Sequence, residues 1–190
     1  MNMRGYEDDP QTIGLRDMIE YIMAKMGKKD LKMAEIGSWT GESAYIFASY
    51  PQITLVFAVD PFEYQDIMND DECKQGFEKG WYENLEERFD EKVRKYQHKI
   101  KKIKLISKDA VSKVEDNFLD FVYIDAGHQY EDVFHDCTEW SKKVHNGGYV
   151  CGHDYYGRPD VRQAITDSLG RIPDEVFMDS SWIMLKRNDG

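Results

Sequence analysis

The feature that most constrains this chain is the alternation of short, β-rich apolar runs with helical stretches. Residues 32–36, 54–59, 102–106, 118–124 and 148–152 read as five strands. Leu15, Met18, Ile19, Ile22, Met23 and Met26 share one face of a first helix, which Asp9 and Pro10 start and Gly27 ends. Residues 43–50 form a second helix, Tyr130, Val133, Phe134, Cys137, Trp140 and Val144 mark the apolar face of another, and residues 161–169 a last one. Short strands separated by helices pair in parallel through right-handed crossovers and are buried on both faces. The tail departs from this pattern. Residues 175–178 and 182–186 are two strands separated only by Asp179, Ser180 and Ser181, which predicts a hairpin and an antiparallel edge. The expected architecture is α/β: a doubly wound, mostly parallel sheet with helices on both faces.

The 190 residues suffice for one domain with a substantial core, and no linker or repeat divides them. One segment exceeds a minimal crossover. Residues 62–101 lie between the second and third strands, with Trp81, Leu85, Phe89 and Val93 at every fourth position of an amphipathic helix. Phe62, Tyr64, Met68, Phe77 and Tyr82 add aromatic and apolar bulk to it. An insertion at the carboxyl end of a strand sits where ligands bind in open α/β sheets. It reads either as a helical cap over a substrate or as a packing extension. A net charge of -11 repels phosphate backbones, so no nucleic-acid partner is expected. The one basic run, Lys92, Arg94, Lys95, Lys99, Lys101, Lys102 and Lys104 with His98, reads as a solvated helix and its exit loop. Cys73, Cys137 and Cys151 are too scattered for a disulfide framework or a zinc knuckle, and the last two read as core residues. With no apolar leader and no membrane-length run, the expected setting is a reducing cytoplasm without membrane attachment.

Chemistry-bearing residues recur where strands end. The loop Glu35-Ile36-Gly37-Ser38-Trp39-Thr40-Gly41 follows the first strand and opens a helix. Gly37 permits the tight turn, and Gly41 permits close approach to a nucleotide-type cofactor. The spacing Gly-x-x-x-Gly differs from the dinucleotide pattern, and a purely structural turn remains the alternative. Asp60 ends the second strand, where it accepts both hydroxyls of a cofactor ribose or caps the turn before Pro61. Asp109, in Ser107-Lys108-Asp109-Ala110, accepts from an adenine amino group or caps a helix. Asp125 ends the fourth strand and His128 follows in the loop, a carboxylate and an imidazole suited to acid–base work or metal binding. Asp154, in Gly152-His153-Asp154-Tyr155-Tyr156, follows the fifth strand and either shares a divalent cation with Asp125 or caps the next turn.

The string Phe121-Val122-Tyr123-Ile124-Asp125-Ala126-Gly127-His128-Gln129-Tyr130-Glu131, followed by Trp140, Gly147-Gly148 and Gly152-His153-Asp154-Tyr155, resembles the class I S-adenosylmethionine-dependent methyltransferases. It is most similar to the branch containing macrolide sugar O-methyltransferases and cephalosporin-hydroxylase-like proteins. The resemblance runs from about Met33 to the C-terminus, apart from the insertion. It implies a Rossmann-like sheet of seven strands whose last strand is antiparallel. It further implies S-adenosylmethionine as cofactor, with Glu35, Gly37, Ser38 and Gly41 at its methionine and ribose end. Asp60 would hold the ribose, Asp109 and Ala110 would frame the adenine, and Asp125 would line the same pocket. Asp125 and Asp154 would correspond to Mg2+ ligands and His128 to the general base. His153 stands where metal-dependent relatives carry an acidic residue, which favours a softer divalent cation than Mg2+. The implied reaction is O-methylation of a hydroxylated small molecule, such as a sugar. Separately, a small core with exposed aromatics is compatible with either a monomer or a homodimer. A Rossmann oxidoreductase and a non-catalytic cofactor-binding module are the competing functions.

Overall fold

In a computed structural model, which describes residues 9–65 and 71–187, the expected alternation is present. The strands are β1 (Leu31–Ile36), β2 (Ile53–Val59), β3 (Ile100–Ile103), β4 (Leu119–Ile124), β5 (Val144–Gly152), β6 (Glu175–Val176) and β7 (Trp182–Leu185). They form one seven-stranded sheet in the order β3-β2-β1-β4-β5-β7-β6. The pairs from β3 to β5 are parallel, while β7 runs antiparallel to both β5 and β6. The expected mostly parallel architecture with an antiparallel C-terminal strand therefore holds. The chain builds outward from β1 to β3, then returns to start β4 on the other side of β1. That reversal opens a crevice beyond the carboxyl ends of β1 and β4.

Period-two alternation divides the side chains of each strand between two cores. Met33, Val56, Phe121, Tyr123 and Cys151 face helices α1 (Pro10–Met26) and α2 (Glu42–Ser49). Ala34, Ile36, Phe57, Val122 and Ile124 face the opposite side, with α6 (Tyr130–Ser141) and α7 (Pro159–Leu169). Leu15, Met18, Ile19 and Ile22 of α1 are completely buried, each worth about 1.5–3 kcal/mol relative to exposure. The caps of α1 are those its sequence predicts. The Asp9 side chain accepts from the Gln11 N–H, and Gly27 closes the helix at φ +61°.

Some expected elements move. β3 begins two residues earlier than expected and ends at Ile103, because α5 (Ser107–Ala110) already starts beyond Ile106. Val144 opens β5 instead of closing the apolar face of α6. The insertion contains α3 (Asp71–Glu78) and α4 (Leu85–Val93), and Trp81 lies in the turn ahead of α4. Met68 lies outside the described residues. Leu85, Phe89 and Val93 pack with Phe62, Ala44 and Ala58, so the apolar face of α4 is committed to α2 and β2. Its outer face pairs with the edge strand: Lys102 reaches Glu86 at 2.7 Å and Asp90 at 2.8 Å, and Lys104 reaches Glu86 at 2.8 Å. Lys99 donates to the carbonyls of Ala48 and Tyr50 at the end of α2. Three members of the basic run are thus engaged within the fold. Among the described residues, no helix is long and apolar enough to cross a membrane.

Candidate functional site

The crevice is built first from backbone. At the end of β1, Gly37 adopts φ +91° and donates its N–H to Val59 at 2.9 Å. A Cβ on Gly37 would lie 2.2 Å from the Asp125 carbonyl oxygen, so only glycine lets the two loops meet. The Asp125 N–H in turn donates to Ile36 at 2.8 Å. The loops after β1 and β4 are therefore locked together at the point where the strand order reverses.

Asp60 supports this loop from β2. Its Oδ2 accepts from the Trp39 N–H at 2.8 Å and its Oδ1 from the Phe62 N–H at 2.6 Å. Burial pushes its carboxyl above the ordinary range, opposed by the backbone donors of Phe62, Trp39 and Ser38. It caps the turn at Pro61, as one sequence reading held, and also fastens the glycine loop. Ser38 is 2% exposed, and its hydroxyl makes no hydrogen bond within the described protein. Glu35 is fully buried in β1. Gly41 has φ +85°, and it also leaves room for the insertion helix. A Cβ there would meet Phe89 at 2.9 Å and Val93 at 3.1 Å. The insertion helix lies over that face of the loop. The turn before α4 also brings Trp81 to Trp39, with ring centroids 6.4 Å apart.

Beyond β3, Asp109 lies in the first turn of α5 and is exposed, with Ala110 buried behind it. The N-cap of α5 is Ile106, so Asp109 is not the cap. Ser107 anchors the helix, donating to Asp136 and accepting from Trp140 Nε1 at 2.8 Å.

The carboxyl ends of β4 and β5 carry the densest chemistry. Gly152 pairs with Ile124, and the His153 N–H continues the ladder to the Ile124 carbonyl at 3.0 Å. Asp154 then takes φ +62°, a left-handed conformation unusual for a residue with a side chain. His128 Nε2 stands 3.0 Å from Asp154 Oδ2. Burial lowers the pKa of His128, but the hydrogen bond and charge of Asp154 outweigh it and hold the group above its ordinary value. Burial would raise the Asp154 carboxyl, yet the hydrogen bonds and charges of His128 and His153 bring it far below the carboxylate range. Ligand atoms of Asp125, His128 and Asp154 all lie within 4.8 Å of one another. Sequence reasoning had grouped His153 with the two carboxylates. In the structure His153 Nδ1 faces Asp154 Oδ1 at 3.3 Å and Asp125 Oδ1 at 3.8 Å, and His128 completes the compact group. Arg158, which sequence reasoning missed, places Nε 3.7 Å from Asp154 Oδ1. Its signal was the spacing of four residues from Asp154. A small cleft beside these residues is lined by Ala126, Gly127, Val161 and Trp182.

Known proteins share the fold and part of the sequence. The family described as a methyltransferase domain matches residues 34–155. The uncharacterized protein R132 of Acanthamoeba polyphaga mimivirus is 29% identical over 162 residues, or 82% of this chain. The chain spans 66% of that relative's length, just under two thirds. Among solved structures, the O-methyltransferase NovP is similar with a TM-score of 0.69 at 19% identity, over 92% of this chain and 79% of that one. A SAM-dependent O-methyltransferase from Thermotoga maritima gives a TM-score of 0.58 at 10% identity, over 92% and 67% respectively. At these identities the structural likeness speaks to the fold.

Proposed function

The chain belongs to the methyltransferase-domain family, and on that premise we propose that it is a class I S-adenosylmethionine-dependent enzyme that methylates a hydroxyl oxygen of a small molecule, such as a sugar, with His128 as base. The observation that carries this reading is the His128–Asp154 contact at 3.0 Å, one strand away from the glycine loop. The comparison with NovP supports oxygen as the accepting atom.

The residues present suit the cofactor. The Ser38 hydroxyl is buried without a hydrogen bond of its own, beside a loop whose backbone Gly37 and Asp60 hold open. Glu35, Gly37, Ser38 and Gly41 would form the methionine and ribose end. Asp60 would offer its remaining lone pairs to ribose hydroxyls beside the backbone N–H groups it accepts. Asp109 and Ala110 would frame the adenine, and Asp125 would close the pocket from β4. S-adenosylmethionine supplies an already electrophilic methyl group, so the protein's work is alignment and proton removal. Asp154, ionised at neutral pH, favours the proton of His128 on Nε2. That leaves Nδ1 to accept the proton of the acceptor hydroxyl as the oxygen attacks. The imidazolium formed is stabilised by the same carboxylate, so Asp154 both orients and compensates.

A metal-assisted version rests on the convergence of Asp125, His128 and Asp154. These three would hold a divalent cation, which lowers the pKa of a bound hydroxyl. One imidazole among two carboxylates favours Mn2+ or Zn2+ over Mg2+. The two versions use His128 differently. As a ligand it is fully engaged, whereas as a base it needs a free nitrogen.

The test pairs binding with turnover. S-adenosylhomocysteine at a hundred times its Kd should stabilise the protein by about 2.7 kcal/mol, and NAD should not. Methyl-labelled S-adenosylmethionine, offered with a panel of glycosides and phenols, should then label at least one acceptor at oxygen. Binding without any labelling would favour the non-catalytic module. Labelling that survives chelation would favour the base without metal, and labelling restored by Mn2+ after chelation would favour the metal.

A further inference from the structure

Asp179 takes no part in the chemistry above, yet it is oriented toward it. It lies in the turn between β6 and β7 and is 8% exposed. Its Oδ1 accepts from the Ser181 N–H at 3.0 Å and its Oδ2 from Ser181 Oγ at 2.7 Å. Ser181 Oγ also lies 3.2 Å from the hydroxyl of the buried Tyr123. The same Oδ2 stands 4.0 Å from His153 Nε2. The other nitrogen of that ring faces Asp154 and Asp125, and Asp154 faces His128. His153 is thus a bridge with a carboxylate at each end.

The opposite side of Asp179 is occupied by α1. A Cβ on Gly14 would lie 2.4 Å from Asp179 Oδ1 and 2.6 Å from its Cβ. Glycine within a helix costs about 1 kcal/mol relative to alanine. At Gly14, on the buried face of α1, that cost gives the Asp179 side chain its room. A turn carboxylate needed only for the Ser181 N–H would not have to be buried under a helix and directed at an imidazole.

We propose that Asp179 is a positioning residue: through His153 it sets the orientation of Asp154 and so of His128. The imidazole ring has two broad orientations about χ2. A carboxylate opposite Nε2 selects the one that presents Nδ1 to Asp154, as second-layer carboxylates do for other functional histidines. The catalytic consequence rests on the methyl-transfer reading, but the contacts themselves do not.

The experiment is ring 15N NMR of the five histidines in the full chain, at one pH, with signals assigned by single His→Gln variants. Asp179→Asn keeps an acceptor for the Ser181 N–H but faces His153 without charge. Gly14→Ala displaces the Asp179 side chain without altering it. Ser181→Ala removes a hydrogen bond of the same turn and leaves the carboxylate in place. The expected result is that Asp179→Asn and Gly14→Ala shift the ring signals of His153 and His128, with His98, His135 and His145 as references, while Ser181→Ala shifts neither. Equal shifts in Ser181→Ala would assign the effect to the turn alone and overturn the proposal. Unshifted His153 and His128 in both Asp179→Asn and Gly14→Ala would also overturn it. S-adenosylhomocysteine binding by the wild-type chain is read separately from melting temperature. Its loss would sink the methyl-transfer reading and leave the histidine comparison standing.

Discussion

At the amino ends of β4 and β5, Asp120 meets His145, and at the carboxyl ends of the same strands Asp125 and Asp154 meet His128 and His153. The two clusters use the same residue types to opposite effect. Asp120 is fully buried and accepts from Lys28 Nζ at 2.9 Å, the Lys32 N–H at 2.7 Å and His145 Nε2 at 3.0 Å. Burial would raise its carboxyl, but these donors hold it below the ordinary range. Its lone pairs are taken by protein, which makes it a fastening between the turn after α1, β1, β4 and β5. The other cluster keeps 22% of the side chains of His128 and Asp154 exposed, at the mouth of the crevice. The difference is one of saturation. A carboxylate closed off by backbone N–H and lysine stabilises the fold, and one shared between two imidazoles at an opening stays within reach of a ligand.

The largest effect that can break this comparison is His128→Ala. Methyl transfer should fall about 10²- to 10⁴-fold, with S-adenosylhomocysteine affinity unchanged by calorimetry. Lost affinity in place of lost turnover would make His128 a cofactor contact. Next is Asp120→Ala, expected to cost about 1–3 kcal/mol by stranding the Lys32 N–H and His145. At about 2–4 °C per kcal/mol, the melting temperature drops by several degrees, while turnover of the folded protein at 25 °C stays at the wild-type level. A catalytic defect from Asp120→Ala would erase the distinction between the two ends.

A third test separates the clusters by pH. The pKa of His128 is raised on folding, so its stabilising contribution is complete below about pH 6.5 and is lost as pH rises through the raised value. Those of Asp120 and Asp154 are lowered, so their contributions are complete above about pH 3.9 and are lost as pH falls through the lowered values. Melting temperatures should therefore decline on both sides of a plateau. His128→Gln should flatten the alkaline limb and Asp120→Asn part of the acid limb. The transfer rate should instead climb with pH through the His128 value, since the base works unprotonated. The smallest effect is expected from Lys28→Ala, at about 1 kcal/mol or less by chemical denaturation. Its side chain is 37% exposed, and solvent screens the ion pair.

The strand ends were the most legible part of the chain. Asp60, Asp125 and Asp154 each follow a run of apolar residues, and each stands at the carboxyl end of its strand, as read. The third strand was legible only approximately. As an edge strand with Lys101 exposed it lacks a continuous apolar signature, and Leu105 and Ile106 drew the reading past its end. The packing of Phe89 and Val93 against Gly41 was not legible, because both lie far along the chain. Asp179 looked like an ordinary turn residue. The clue was Gly14, a glycine on the apolar face of an otherwise regular helix.

Sequence alone determined the alternation of strands and helices, the reversal of the tail into a hairpin, and the family. These follow from local periodicity and from a contiguous string of residues, which need no knowledge of distant neighbours. Only the tertiary structure decided which histidine joins which carboxylate. His128 meets Asp154 because β4 and β5 are adjacent in register and Asp154 turns through a left-handed conformation. His153 Nε2 comes within 4.0 Å of Asp179 because the turn between β6 and β7 packs against α1 at Gly14. Contacts between residues so distant in the chain depend on packing distances of a few ångströms, which no local pattern of residue types encodes.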